Sequence, residues 1–214
     1  MIKANTNPHE LAQELSGFHF IDGQLVPPIN GETFAVLNPA TGKDMGRAAA
    51  GDAADVDVAV ASAVSAQKEW ARKTARERGK LVSECGRLLA EHVEELGRLV
   101  ALESGKALRT ESRVEASILA DTFVYFGGLA SELKGETIPY NNTSMTMTVR
   151  EPIGVVGAII PWNVPMYLMA LKIAPALVAG NSVVVKSAEE APLCCLRVCQ
   201  LINQILPPGV FNIL

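Results

Sequence analysis

Over residues 153–214 three short apolar runs alternate with two helical stretches, and few folds accept that order. Ile153 to Ile160, Ser182 to Val185 and Val210 to Leu214 have the length and composition of strands. Pro165 to Gly180 and Ala191 to Leu206 have the length and period of helices. Strands that are apolar on both faces belong in a parallel sheet covered by helices and joined by right-handed crossovers. The β-α-β-α-β order is therefore half of a doubly wound α/β domain.

In such a sheet ligands bind beyond the carboxyl ends of the strands, which directs attention to the residues after Ile160 and Val185. These are Pro161-Trp162-Asn163 and Lys186-Ser187-Ala188-Glu189, and parallel strands put both on one rim. Asn163 precedes a helix with Pro165 in its first turn, so it suits an N-cap; a capping oxygen would still leave its NH2 free to stabilise an oxyanion. Lys172 is the lone charge in an apolar helix and must reach water, a carboxylate or a ligand. Lys186 and Glu189 are either solvated loop charges, with Ser187 and Glu190 as a capping box, or a donor and an acceptor for the two hydroxyls of a ribose. A carboxylate there would repel a 2′-phosphate and favour NAD over NADP. No G-x-G-x-x-G follows any of these strands.

Upstream, Asp22-Gly23 within Phe18 to Val26 signals a tight hairpin, and Thr33 to Leu37 runs into the turn string Asn38 to Gly42. Helices are expected from Asp52 to Trp70, with Val56, Val60, Ala63 and Val64 inward, and from Thr74 to His92, with Leu81, Cys85, Leu88 and Leu89 inward. Two more are expected over Val93 to Glu103 and Glu111 to Leu133, although Gly127-Gly128 weakens the last. Glu136 to Arg150 alternates as an exposed strand or ribbon, either an ordinary edge or a strand lent to another subunit.

The formal net charge of -4, spread along the chain, offers no positive field for nucleic acid. Met166 to Gly180 is too short to span a membrane and reads as a buried helix. Residues 1–15 lack the apolar run of a secretory signal, so the expectation is a cytoplasmic protein. Cys194, Cys195 and Cys199 lie in an apolar helical pattern remote from every histidine; they read as core side chains, and no metal site is expected. A chain that ended at Val210 to Leu214 would leave that strand unpaired and prone to aggregate.

Several spaced segments resemble the aldehyde dehydrogenase superfamily. They are Glu151 to Gly157, Ile159 to Pro165, Lys172 to Leu177, Ala179 to Asn181, Val185 to Glu189 and Leu206 to Asn212. Asn38 to Gly42, Glu103 to Lys106 and Gly135 to Pro139 add to them, so the resemblance covers the chain from about Phe18. It implies an aldehyde dehydrogenase-like α/β fold. Residues 1–134 would form the mostly helical part of a cofactor-binding domain, 135–152 a β oligomerisation arm, and 153–214 the first half of the NAD-binding sheet. It also implies oxidation of an aldehyde to a carboxylic acid with NAD, through a cysteine thiohemiacetal and a thioester, in a homo-dimer or homo-tetramer.

By the same resemblance Asn163 donates to the oxyanion and Lys172 assists proton transfer during thioester hydrolysis. Lys186 and Glu189 hold the adenosine ribose, and Ile160, Pro161, Trp162 and Asn163 line the cofactor cleft. Val164, Leu168 and Leu171 line the substrate tunnel. A CoA-acylating relative, in which the thioester passes to CoA instead of water, is a further alternative; Trp162 weighs mildly against it, since that branch usually has phenylalanine there. The family's nucleophilic cysteine would follow Leu214, and none of the four cysteines has its context, so residues 1–214 alone are expected to be inactive. The alternative is a non-catalytic nucleotide-binding or structural relative.

Overall fold

The computed structural model describes residues 7–214. Helix α1 (Pro8–Glu14) leads into the hairpin β1 (His19–Ile21) and β2 (Gln24–Val26), then the ribbon β3 (Thr33–Asn38) and β4 (Lys43–Ala49). Helices α2 (Ala53–Arg72), α3 (Ala75–Glu91), α4 (Val93–Ser104) and α5 (Arg113–Gly128) follow, and a π-helical turn at Leu108–Ser112 opens α5. The hairpin β5 (Thr137–Asn141) and β6 (Ser144–Met147) precedes β7 (Val155–Ile159), α6 (Pro165–Val178), β8 (Ser182–Lys186), α7 (Pro192–Ile202) and β9 (Phe211–Ile213).

The main sheet has the order β2-β1-β9-β8-β7, with β7, β8 and β9 parallel and β1 antiparallel to both its neighbours. Alternation along β8 shows how it is covered. Val184 packs with Ile21, Ala59 and Ala63 beneath α2, while Val183 and Val185 join Phe211, Ile213 and the apolar faces of α6 and α7. Helices α3, α4 and α5 form a further layer over α6 and α7. The α/β class and the half of a parallel sheet expected from the last sixty residues are what the chain builds.

Local chemistry explains the entry points. Asp22 and Gly23 both have positive φ, 53° and 79°, the backbone that a two-residue hairpin with native twist requires. Asp52 and Asp55 form a reciprocal capping box on α2, and Thr74 and Glu77 do the same for α3. Among the described residues no helix is long and apolar enough to cross a membrane. The absence of a secretory signal, expected from residues 1–15, falls partly outside the described residues.

Several expectations need correction. Helix α1 and strand β4 were not anticipated. On α2 the buried residues are Asp55, Ala59, Ala63 and Trp70, whereas Val56, Val60 and Val64 are exposed, because a helix lying close on a sheet puts its small residues inward. Helix α6 is buried on one face only; Leu171 and Lys172 are exposed and Val164 and Leu168 half-buried. Strand β9 is not left unpaired, since β1 lies against its outer side through Phe20 and Ile213. The open parallel edge belongs to β7.

Candidate functional site

The carboxyl ends of β7 and β8 are held together by Ile160 N donating to Lys186 O at 3.0 Å, one step beyond the register pair Ile159 and Lys186. The loops that leave these strands therefore start side by side. Pro161, Trp162 and Asn163 are exposed and, among the described residues, make no hydrogen bonds. Trp162 and Glu189 line one groove of about 420 Å³, together with Phe34 and Leu37 of β3 and with Glu103.

Lys186 and Glu189 form an ion pair with both side chains partly open to solvent. The lysine beside it holds the Glu189 carboxyl below the usual range. Behind the pair lies a cavity of about 290 Å³, walled by Phe18 and His19, by Ala48 to Gly51 at the end of β4, and by Leu214. A donor and a carboxylate at the mouth of a largely apolar recess suit a sugar with vicinal hydroxyls and an attached flat base. Sequence reasoning missed His19 and β4 as walls of this recess. Nothing in a short window signals that a hairpin near the amino terminus comes to the rim of the last strand.

His19 is 2% exposed, its Nε2 has no hydrogen-bond partner, and it stands 3.9 Å from the buried Asp55 Oδ2. Burial pushes its imidazole pKa down, against the pull of Asp55.

Lys172 does not stay with solvent alone: its Nζ donates to the Ile159 carbonyl at the end of β7. Val164 at the N-cap and Leu168, Leu171 and Lys172 of α6, spaced four, three and one apart, lie along one side of the helix that begins next to Asn163 and runs from half-buried to exposed. The rim thus carries a free carboxamide, an ammonium bound to the strand end and an apolar stripe.

Two capping assignments fail. The N-cap of α6 is Val164, not Asn163, and that of α7 is Ala191, so Ser187 and Glu190 form no capping box. Ser187 Oγ donates instead to Leu214 O at 2.9 Å. Each helix opens with proline, and each takes its caps from a buried glutamate elsewhere. Glu115 accepts from Met166 N at 2.9 Å, and Glu103 from Leu193 N at 2.6 Å and Cys194 N at 3.0 Å. Helix N-termini at a strand-end rim ordinarily attract phosphate. Here glutamate side chains occupy both.

All four cysteines are buried and unpaired. Burial pushes the Cys85 thiol up to about 12 and drives Cys194 and Cys199 well above their ordinary values, so these three stay protonated at neutral pH. Among the described residues no three His, Cys, Asp or Glu side chains gather as a metal site.

Residues 26–214 match the model of the aldehyde dehydrogenase family. Among curated relatives, the aminoacetaldehyde dehydrogenase of Pseudomonas aeruginosa is 43% identical over 197 residues, covering 91% of this chain and 40% of that protein. Among solved structures, PnpE in complex with nicotinamide adenine dinucleotide superimposes with a TM-score of 0.90 at 39% identity, over 92% of this chain and 41% of that one. An NADP-dependent enzyme from E. coli gives 0.92 at 32% identity, over 98% and 43%. The chain spans about two-fifths of the length of the curated relatives it matches.

Proposed function

The chain belongs to the aldehyde dehydrogenase family, and from that premise we propose that it is the cofactor-binding and oxyanion-stabilising segment of an enzyme that oxidises an aldehyde to a carboxylic acid with NAD. One observation carries the reading. The unbonded carboxamide of Asn163 and the Lys186–Glu189 pair leave neighbouring strand ends on one rim, next to a largely apolar recess of about 290 Å³.

Lys186 and Glu189 would hold the adenosine ribose, donating to one hydroxyl and accepting from the other. Ile160, Pro161 and Trp162 would line the cleft towards the reacting end. The nicotinamide, when bound, supplies a hydride acceptor. Asn163 aims an uncommitted N–H donor at the oxygen that becomes an anion when a thiolate adds to the aldehyde carbon; an unused donor requires no broken bond at that moment. Lys172, fixed to the end of β7, would hold a proton near that oxygen, and Val164, Leu168 and Leu171 would guide an apolar aldehyde. Residues 135–152 would form an oligomerisation arm of a homo-dimer or homo-tetramer, and 1–134 with 153–214 one cofactor-binding unit in the cytoplasm. Ile138, Tyr140, Met145 and Met147 of the β5–β6 hairpin are exposed, as a pairing arm requires.

Calorimetric titration of the chain with NAD and NADP tests the reading. NAD should bind more tightly, because the Glu189 carboxylate repels a 2′-phosphate. Glu189→Gln should narrow the preference by about two- to fivefold, the scale of a partly exposed charge pair. Equal binding of NAD to wild type and to Lys186→Ala would remove the ribose assignment. In the enzyme that carries this segment, Asn163→Ala should lower kcat about a hundredfold or more. The 214-residue chain should form no NADH with aldehydes, because its thiols are buried; turnover abolished by mutating one of its own cysteines would contradict this.

A further inference from the structure

Helix α6 cannot cap its own beginning. Val164 offers no side-chain oxygen and Pro165 has no N–H, so the amides of Met166 and Tyr167 are left over. Both face Glu115 Oε1, at 2.9 Å and 3.5 Å. The other carboxylate oxygen takes the Lys106 ammonium, and Glu115 is only 4% exposed. A buried carboxylate held from two sides has little freedom to drift.

The loop before α6 depends on that anchor. Its strand end is tied by Ile160 N to Lys186 O, and its helix end by Met166 N to Glu115 and by Leu168 N to Val164 O at 3.0 Å. Pro161, Trp162 and Asn163 contribute no hydrogen bond of their own. The direction of the Asn163 carboxamide is therefore set by where the first turn of α6 sits. That turn is pinned three residues later by Glu115.

We propose that Glu115, clamped by Lys106, is a positioning residue for Asn163: it acts through the first turn of α6 and prepares the oxyanion donor before any ligand arrives. The proposal rests on the role given to Asn163 above, but its test needs neither cofactor nor aldehyde. Glu103 is the matched comparison, since it caps α7 in the same way; it lines the groove that holds Trp162 but has no hydrogen bond to the first turn of α6, so the Asn163 carboxamide is the signal that separates the two glutamates.

NMR of the 15N-labelled 214-residue chain reads the effect. The buried Trp70 indole, bonded to Leu177 O at 2.9 Å, is an internal reference, and the exposed Trp162 indole and the Asn163 carboxamide report on the loop. Glu115→Ala should speed hydrogen exchange of the Met166 amide about tenfold or more. It should also displace or broaden the Trp162 and Asn163 signals while Trp70 stays. Glu115→Gln, which keeps an acceptor for Met166 N, should move both signals back towards wild type. Glu103→Ala should leave the Asn163 carboxamide in place. Unmoved Trp162 and Asn163 signals in Glu115→Ala would overturn the proposal, as would equal displacement of the Asn163 carboxamide in Glu103→Ala. If Glu115→Ala does not fold, Lys106→Met decides: a shifted Asn163 carboxamide supports the clamp and an unmoved one refutes it. Failure of NAD to perturb the wild-type spectrum would count against the cofactor reading alone.

Discussion

Glu103 and Glu115 do the same job in different company, and the difference has a pH signature. Glu115 has Lys106 beside it. Glu103 is fully buried with two backbone amides and no cation among its hydrogen-bond partners; burial pushes its carboxyl from 4.5 up to about 7, against the pull of those amides. A folded-state value above the unfolded one means that the fold holds this proton more tightly. The resulting stability is complete below about 4.5 and is lost as the pH rises through about 7. Thermal melts of wild type and Glu103→Gln across that window should show the wild-type advantage shrinking as pH rises; a constant difference would mean that Glu103 does not titrate there. His19 works the other way: its lowered pKa gives stability that is present above the ordinary imidazole value and lost on acidification. At this scale the sequence was half legible. The rim residues Asn163, Lys186 and Glu189 could be picked out by their place after a strand, but Asn163 looked like a cap because the real cap is 51 residues before Met166.

Elements were legible where one period dominates and illegible where packing overrides it. Asp22-Gly23 signalled its hairpin correctly. By contrast the valines of α2 suggested the wrong inner face, and Lys43–Ala49 has too few β-formers to announce β4. The Gly127-Gly128 pair, a reason to doubt the helix, separates into two cases. A Cβ at Gly127 would lie 2.2 Å from Ser83 Oγ and 2.7 Å from Gly79 O, so α3 and α5 touch there backbone to backbone. A Cβ at Gly128 meets nothing within 4 Å. Gly128→Ala should then stabilise slightly, by up to about 0.5 kcal/mol, since Gly128 is the last residue of α5 and gains less than an interior position. Gly127→Ala should destabilise by about 1–3 kcal/mol despite its own gain in helix propensity, because overpacking dominates. Urea denaturation of both variants checks the pair, and a stabilising Gly127→Ala would refute the close contact. Helix α6 shows how far its layer is tied together: Trp70 from α2 and Arg78 from α3 donate to the Leu177 and Val178 carbonyls at its far end, each at 2.9 Å.

For the molecule as a whole, the important edge is β7. With β1 closing the outer side of β9, the apolar surface left beside unpaired backbone runs through Ile153 and Ile159, 86% and 74% exposed, towards Trp162 at 59%. Self-association should start there, and a charge on such an edge opposes it. Ile159→Lys should raise the concentration at which the chain associates, by light scattering, without moving its melting temperature; no change in association would place the contact elsewhere, with the β5–β6 hairpin the next surface to substitute. Sequence alone located the risk at β9, because pairing with a hairpin some 190 residues earlier lies beyond any periodicity. The borrowed caps also give the chain a direction in time. Glu103 and Glu115 are synthesised before the amides they receive, by 90 and 51 residues. On a ribosome both acceptors emerge first, so each crossover helix meets its cap in chain that has already been made.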